Sequence, residues 1–201
     1  ASPFSIPVYP YSPLPMPLDL PRLAIDADYW SLRFVDQATT ACAVRKNVPL
    51  PLARSRDRGV MATVYAGGGY GYAATSDLSA AGLAAALDRA AQWARATAPR
   101  ALFDTRPLPR PAPRGDYASP SIDDPEPAPR DWYELLMAES TAAAIDPRLV
   151  DWTARVEVRR ATHRLLTSEG GDVVQRYRIT LPGRAVSAHA NGDTQTRTLN
   201  G

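Results

Sequence analysis

Residues 57–79, DRGVMATVYAGGGYGYAATSDLS, join two alternating segments through a run of glycines and lead directly into a helical pattern. The first segment alternates between two sets of side chains, the period of two that a β-strand produces: Val60, Ala62 and Val64 on one face, and Met61, Thr63 and Tyr65 on the other. Three consecutive glycines at 67–69 then supply the permissive backbone that a tight reversal needs. These features predict a β-hairpin.

The second strand of this hairpin has one bulky face and one nearly bare face. Tyr70 and Tyr72 point one way, and Gly71 and Ala73 point the other. Because a face without bulk allows close approach, we expect another element to pack there. Helical spacing begins at Ala80, directly after residues suited to cap a helix, and predicts a helix over 80–97. Its narrow apolar stripe consists of Leu83, Leu87, Ala90, Ala91 and Ala94.

This block resembles the N-terminal part of the TldD/PmbA family, once called modulators of DNA gyrase and now interpreted as zinc metallopeptidases. The resemblance rests on Asp-Arg-Gly at 57–59, Gly-Tyr-Gly-Tyr-Ala at 69–73 and the helix cap at 75–79. Two departures are mild, since Arg56 stands where the family has an acidic residue and Ser76 where it has Asn.

Two further segments extend the resemblance over most of the chain. DADYWSLRFV, residues 26–35, is similar to the opening of the family's first domain, and DPRLVDWTARVEV, residues 146–158, is similar to the start of its second. The resemblance therefore implies the N-terminal region of such a protein. The chain ends at Gly201 directly after a predicted strand, which we interpret as truncation.

The resemblance implies a non-catalytic half of a metallopeptidase, which contributes to the substrate channel and to subunit assembly for hydrolysis of unstructured peptides. The family's His-Glu-x-x-x-His zinc helix lies further along the polypeptide, so zinc is expected in that missing C-terminal region and no cofactor is expected here. The implied partners are the C-terminal catalytic region, a homo- or heterodimeric subunit of the same type and a flexible peptide. The alternative is a stand-alone binding or scaffold module without peptidase activity.

No residue of this chain is predicted to be catalytic, to bind a cofactor or to hold a metal, which leaves open whether the chain itself is an enzyme. A protein zinc site needs three or four converging ligands, and neither His163 nor His189 is followed by Glu in the required register. The single cysteine, Cys42, excludes an internal disulfide and is predicted to be a half-buried strand residue. The acids at 123–126 lie among prolines and are interpreted as solvated linker.

Proline distribution predicts the domain organisation. Seven of the 20 prolines fall within residues 1–22, and nine fall within 99–129. Because proline lacks an N–H and disfavours a preceding helix, both stretches are predicted to be extended. The predicted segments are a Pro-rich N-terminal segment at 1–28, an α+β domain at 29–98, a Pro-rich linker at 99–130 and a truncated second domain at 131–201.

The predicted fold class is α+β. The first domain combines a mixed sheet, from strands at 29–37, 39–47 and 50–56 and the hairpin, with its packed helix. The second domain is a helix followed by an antiparallel β-meander. Its helix is predicted to start at the cap Asp131 and to end at Ile145, its first strand covers 150–159, and turns are predicted at 170–171, 182–183 and 191–192.

Charge and hydropathy limit the partners. The formal net charge is +2 without a basic run, and the arginines at 155, 159, 160 and 164 are interpreted as a solvated mixed face, so nucleic acid is not a predicted partner. No stretch has the length of a membrane span. We expect a cytoplasmic protein, the alternative being export with a leader removed before Ala1. The last predicted strand, 194–199, offers an edge for strand addition unless the C-terminal region covers it.

Overall fold

A computed structural model describes residues 25–200. The predicted N-terminal segment 1–28 lies outside the described residues except at 25–28. Eight strands form one sheet: β1 (Tyr29–Arg45), β2 (Val48–Pro49), β3 (Ala53–Ala66), β4 (Gly69–Thr75), β5 (Arg114–Ala118), β6 (Leu149–Thr167), β7 (Asp172–Ala190) and β8 (Asp193–Asn200). The order is β4-β3-β1-β6-β7-β5, with β2 on β1 and β8 on β7. Every pair is antiparallel except β5 with β7.

Two helices, α1 (Ala80–Thr97) and α2 (Pro129–Ala143), cover the same face of this sheet. The β1 residues under α1 (Leu32 and Phe34) and under α2 (Cys42 and Val44) are all even-numbered, and side chains two apart in a strand share a face. The predicted α+β class is confirmed. One layer of helices and one sheet therefore enclose the core, and the other face of the sheet carries no helix among residues 25–200.

The predicted hairpin is present as β3 and β4. Its turn consists of Gly67 and Gly68, whose φ angles of 61° and 85° lie in the region that glycine occupies without steric cost. Two positive φ values in a two-residue loop suit the right-handed twist of the flanking strands. The Asn191-Gly192 turn, between β7 and β8, has the same character, with φ of 53° and 80°.

The two strands predicted at 29–37 and 39–47 form one strand, β1. The apolar alternation breaks at Asp36, a buried position whose carboxylate accepts two hydrogen bonds from the Arg56 guanidinium at 2.9 and 2.8 Å. Because this ion pair satisfies the carboxylate, the strand continues through a position that is unfavourable by hydropathy alone. The chain reverses only at Lys46 and Asn47, where φ is 48° and 62°.

The turn predicted at Pro182-Gly183 is wrong, since both residues lie inside β7. On the outer side of β7, β5 pairs only up to Arg176 and β8 only from Gly183. Pro182 lies in the interval between them, where the described residues place no strand on that side. A proline without an N–H is tolerated there because no ladder bond depends on it.

The second helix starts three residues earlier than predicted, at Pro129, with Ala128 rather than Asp131 as its N-cap. Asp131 is therefore the third helical residue rather than the cap, and its carboxylate accepts a hydrogen bond from the Ala128 N–H at 2.9 Å. Proline at the first position fits because its missing N–H would have no partner in the helix. The helix ends at Ala143, two residues before the predicted end.

The Pro-rich segment 99–130 is attached to the sheet. It contains β5, and the Ser119 N–H donates to the Arg176 carbonyl at 2.9 Å. Arg160 donates to the Glu126 carboxylate at 3.1 Å, and Arg178 donates to the Asp124 carbonyl at 2.8 Å. Glu126 is therefore an ion-pair partner of the sheet rather than a solvated linker acid.

The regions predicted as separate domains share the sheet. β1 pairs with β6 from Ser31–Thr167 to Arg45–Thr153. Separating the two halves would break this whole ladder. The division into a first domain at 29–98, a linker at 99–130 and a second domain at 131–201 stays a prediction.

Candidate functional site

The bare face of β4 is covered by α1 at very short range. A Cβ added to Gly69 would lie 2.0 Å from the Ala94 carbonyl oxygen, and one added to Gly71 would lie 2.3 Å from the Ala90 carbonyl oxygen. Both distances are far below van der Waals contact, so only glycine allows the helix to lie here. This confirms the expectation that an element packs on that face. The bulky face of β4 is thereby turned away from the helix.

Tyrosines on that opposite face form a continuous row across three strands. Ring centroids are 5.3 Å apart for Tyr29 and Tyr65, 6.4 Å for Tyr65 and Tyr70, and 6.0 Å for Tyr70 and Tyr72. These spacings lie in the range of favourable aromatic contacts. The row runs from buried Tyr29 to exposed Tyr72, so it leads from the interior to the outer edge of the sheet.

A cleft of about 730 Å³ opens at this edge, between β4, the C-terminal end of α1 and the loop that follows the helix. We call it the hairpin cleft. Its lining is mostly aromatic and apolar: Tyr70, Gly71, Tyr72, Trp93, Ala96, Thr97, Arg100, Ala101, Leu102, Phe103 and Thr105. Arg100 is the one charged side chain among these residues. The cleft therefore offers apolar contact and hydrogen-bond donors, and its lining contains no carboxylate, imidazole or thiol to act as a general base.

Three hydrogen bonds hold the outer wall of the hairpin cleft against the hairpin. Buried Thr105 donates its N–H to the Gly68 carbonyl at 3.0 Å and its hydroxyl to the Gly69 carbonyl at 3.1 Å. Thr97 donates its hydroxyl to the Tyr70 carbonyl at 2.9 Å. The wall is therefore positioned by the backbone of the glycine turn. Sequence reasoning missed Thr105, because nothing in the Pro-rich pattern around it distinguishes a buried threonine from an exposed one.

A second candidate surface is the outer edge of β8. Side chains of this strand meet those of β7 in two short contacts, Ser187 Oγ to Thr196 Oγ1 and His189 Nδ1 to Thr194 Oγ1, both 2.7 Å. The pair that closes the two-residue turn, Ala190 with Asp193, exchanges backbone hydrogen bonds, and bonded and non-bonded pairs alternate from there. The N–H groups of Thr194, Thr196 and Thr198 therefore point away from β7.

The two histidines lie far apart. His163 stands opposite Gln175 and His189 opposite Thr194, so 14 residues of β7 separate them, about 45 Å at strand rise. His163 Nε2 is 3.0 Å from the Tyr177 hydroxyl. Burial lowers the pKa of His163, and the nearby charge of Arg33 lowers it further. Within residues 25–200, His, Cys, Asp and Glu side chains do not converge in any group of three or more that could hold a metal.

Cys42 is buried beneath α2 instead of half-buried as predicted. Burial is the main cause that raises the pKa of its thiol, so the thiolate is disfavoured. The four arginines considered for nucleic acid do not share one face. Arg155 and Arg159 lie on the helix-free face beside Glu157, whereas Arg160 and Arg164 lie on the helix face with acidic partners.

Sequence comparison identifies the hairpin region. Residues 30–98 match the sequence model of PmbA/TldA metallopeptidase domain 1. The match covers 69 of the 201 residues, so it assigns this domain and not the whole chain. The matched region contains β1, β3, β4 and α1, and it therefore supplies two walls of the hairpin cleft. A comparison with curated protein sequences gave no match.

Solved structures share the fold of this chain. A protein described as a modulator of DNA gyrase from Bacteroides thetaiotaomicron has a TM-score of 0.64 at 14% identity, and TldE from Thermococcus kodakarensis has 0.63 at 15%. Each alignment covers 87% of this chain and 40% of the other. A protein described as a DNA gyrase modulator from Thermotoga maritima has 0.57 at 11%, covering 86% and 38%.

This chain spans about 40% of the length of those solved proteins. At 11–15% identity the structural similarity shows the fold alone, and the likeness to the first domain of the family rests on the sequence match at 30–98. No helix within residues 25–200 combines the length and the apolar character that crossing a membrane requires.

Proposed function

We propose that this chain is the non-catalytic N-terminal region of a TldD/PmbA-type metallopeptidase, which contributes to the substrate channel and subunit assembly for hydrolysis of unstructured peptides. The observation that carries the proposal is the combination of the two comparisons. The match at 30–98 is to the first domain of the family, and 87% of the chain aligns with only 40% of the solved relatives. The remaining part of those proteins has no counterpart here.

The proposal assigns the zinc chemistry to a region that follows Gly201. The described residues support this division because they present two binding surfaces, the hairpin cleft and the β8 edge. A bound zinc ion would supply a water of lowered pKa for peptide hydrolysis. Residues 25–200 would then hold and orient the peptide and the second subunit. A TldE protein among the structural neighbours supports a partner of this family as that subunit.

The β8 edge is the proposed docking element for an extended peptide or for the partner. Its outward N–H groups at Thr194, Thr196 and Thr198 can donate to the carbonyls of an added strand, which demands little of the peptide sequence. The competing arrangement is that the C-terminal region of the same protein pairs with this edge. Both arrangements use the outward N–H groups. They differ in whether an added peptide competes with the C-terminal region for those groups.

A proline substitution tests the edge. Thr196→Pro removes an N–H that points away from β7, so it should weaken capture of a disordered peptide or of the partner while the zinc content stays unchanged. Thr196→Val is the matched control, because it removes the hydroxyl that contacts Ser187 but keeps the N–H. Unaltered assembly and peptide turnover in Thr196→Pro, with the circular dichroism spectrum intact, would exclude this edge.

The reading frame that encodes the chain tests the function. We expect it to continue past Gly201 into a His-Glu-x-x-x-His helix, and the protein it encodes should bind zinc and cleave a disordered fluorogenic peptide. A Glu→Gln change in that motif should abolish cleavage without removing the metal. An open reading frame that ends without the His-Glu-x-x-x-His motif would contradict the proposal. It would favour the alternative of a stand-alone binding or scaffold module of the same fold.

A further inference from the structure

The hairpin cleft exposes a group of large apolar side chains in its lining. Five of them remain exposed: Tyr70, Tyr72, Trp93, Leu102 and Phe103. Leu102 is fully exposed, and Trp93 is 57% exposed. Exposed apolar surface collected in one concave place marks a binding site. A ligand with apolar side chains would remove this surface from water.

Arg100 adds a single positive charge to this apolar surface. It is the one charged side chain in the lining, and within residues 25–200 no carboxylate forms an ion pair with it. The neighbouring arginines differ in this respect, because Arg95 pairs with Asp26 and Arg106 pairs with Asp104. A guanidinium binds a carboxylate through two parallel hydrogen bonds. The charge of the cleft is therefore complementary to an apolar ligand that carries one carboxylate.

The backbone of β4 offers an open edge beside these side chains. Ala66 and Gly69 close the two-residue turn as a hydrogen-bonded pair, and alternation then directs the N–H and C=O of Tyr70, Tyr72 and Ala74 away from β3. In the part of the chain that the structure describes, no backbone group bonds to the outward side of Tyr72 or Ala74. An extended peptide can pair with such an edge through its main chain.

This open edge is closed at one end. The Tyr70 carbonyl accepts a hydrogen bond from the Thr97 hydroxyl, and Thr105 donates to the Gly68 and Gly69 carbonyls. The outer wall of the cleft therefore covers β4 from the turn as far as Tyr70. A strand added to the open part cannot continue past Tyr70. The geometry suits the end of a peptide rather than an internal segment.

Strand direction determines which end of the peptide arrives there. β4 runs from Gly69 to Thr75, so an antiparallel partner runs toward Gly69 and reaches the closed end with its C-terminus. The last turn of α1 lies at this end, since a Cβ on Gly69 would touch Ala94 and Ala98, and Arg100 follows directly. The C-terminal end of a helix disfavours an anion. A carboxylate in this place therefore depends on the Arg100 guanidinium.

We propose that the hairpin cleft binds the free C-terminus of an apolar peptide, which pairs antiparallel with β4 and places its carboxylate on the Arg100 guanidinium and the Tyr70 N–H. The third residue from the peptide's end exchanges both backbone hydrogen bonds with Tyr72. The penultimate residue lies opposite Gly71 and directs its side chain to the helix face beside Trp93. None of these groups takes part in zinc chemistry, so this inference goes beyond the proposed function.

The first test is a titration of the 201-residue chain with the peptide acetyl-Gln-Ser-Thr-Val-Leu-Val by isothermal titration calorimetry. The C-terminal amide of the same peptide should bind about tenfold more weakly or less, because it loses a charged hydrogen-bond acceptor. Arg100→Gln should reduce the affinity for the acid to that for the amide. The matched control is Arg197→Gln, which removes one exposed positive charge from β8 on another edge of the sheet and should retain the preference for the acid.

The second test probes the strand pairing and leaves the protein unaltered. N-methylation of the valine third from the peptide's end removes the N–H that donates to the Tyr72 carbonyl, so the affinity should fall about fivefold or more. N-methylation of the penultimate leucine is the matched control, because its N–H points away from β4 and its loss should leave the affinity unchanged.

Four results would overturn the proposal. They are no binding of the acid, equal affinity for acid and amide, an undiminished preference for the acid in Arg100→Gln, and equal effects of the two N-methyl groups. A preference lost in Arg197→Gln alone would overturn it in favour of the β8 edge. Arg100 and Arg197 are both exposed, so these outcomes do not depend on loss of folding. They also do not depend on whether the reading frame encodes a zinc motif.

Discussion

The contact between α1 and the bare face of β4 should make Gly71 intolerant of the smallest side chain. In Gly71→Ala the new Cβ would lie 2.3 Å from the Ala90 carbonyl oxygen and 2.5 Å from the Ala94 amide nitrogen. Both neighbours are helix backbone, so relief requires α1 to move outward by about 1 Å. That movement separates buried Leu83 and Leu87 from the sheet. Overpacking of a core costs about 1–3 kcal/mol and occasionally more, and a backbone clash belongs at the upper end.

We expect Gly71→Ala to lower the free energy of unfolding by about 3 kcal/mol. For a domain of this size that corresponds to a decrease in Tm of about 6–12 °C. Urea denaturation followed by circular dichroism measures the change through the midpoint and slope. Gly115→Ala is the matched control, because a Cβ added in β5 meets nothing within 4 Å. A Gly71→Ala stability within about 0.5 kcal/mol of the unaltered chain, the range of ordinary surface substitutions, would refute the packing argument.

Three further predictions concern other parts of the fold. Ser140→Ala should lower the free energy of unfolding by about 3 kcal/mol in the same assay. The buried Ser140 hydroxyl accepts hydrogen bonds from the Trp152 indole at 3.1 Å and from the Asn47 N–H at 3.0 Å, and both donors would lose their partner. Burial lowers the pKa of His163, so below about pH 6.5 the unfolded chain binds more protons than the folded chain. The free energy of unfolding should therefore fall as pH decreases through that value. An unchanged slope of unfolding free energy against pH in His163→Gln would contradict this. Trypsin should cut first within 99–130, at Arg100 or Arg114, because Arg106 and Arg110 each precede a proline and trypsin does not cleave Arg–Pro bonds. The nicked chain should stay together through the β1–β6 ladder, whereas first cleavage inside β6 or β7 would be inconsistent with the fold.

Local patterns predicted the elements whose signals lie within a few residues. The hairpin of β3 and β4, helix α1 and the turn at 191–192 follow from alternation, glycine content and capping, all of which act between near neighbours in the chain. The bare face of β4 even indicated that an element packs there. These features required no knowledge of distant segments.

Features that depend on distant contacts could not be predicted. The strand break placed at residue 38 reflects buried Asp36, whose compensating partner Arg56 lies 20 residues away. The pairing of β1 with β6 joins segments more than 100 residues apart, and no periodicity identifies which strands become neighbours. The hairpin cleft depends on Thr105, a single residue in a Pro-rich stretch. Each of these is set by tertiary structure, which overrides local preference.

Metal analysis distinguishes a non-catalytic region from a complete peptidase. The 201-residue chain and the product of its whole reading frame would be dialysed side by side against a mild chelator and then assayed for zinc and for cleavage of a disordered peptide. We expect the chain to retain no stoichiometric zinc and to cleave nothing, and the longer product to retain one zinc ion and to cleave the peptide. One zinc ion per chain, or cleavage by the chain that is lost in His163→Gln or His189→Gln, would contradict the assignment.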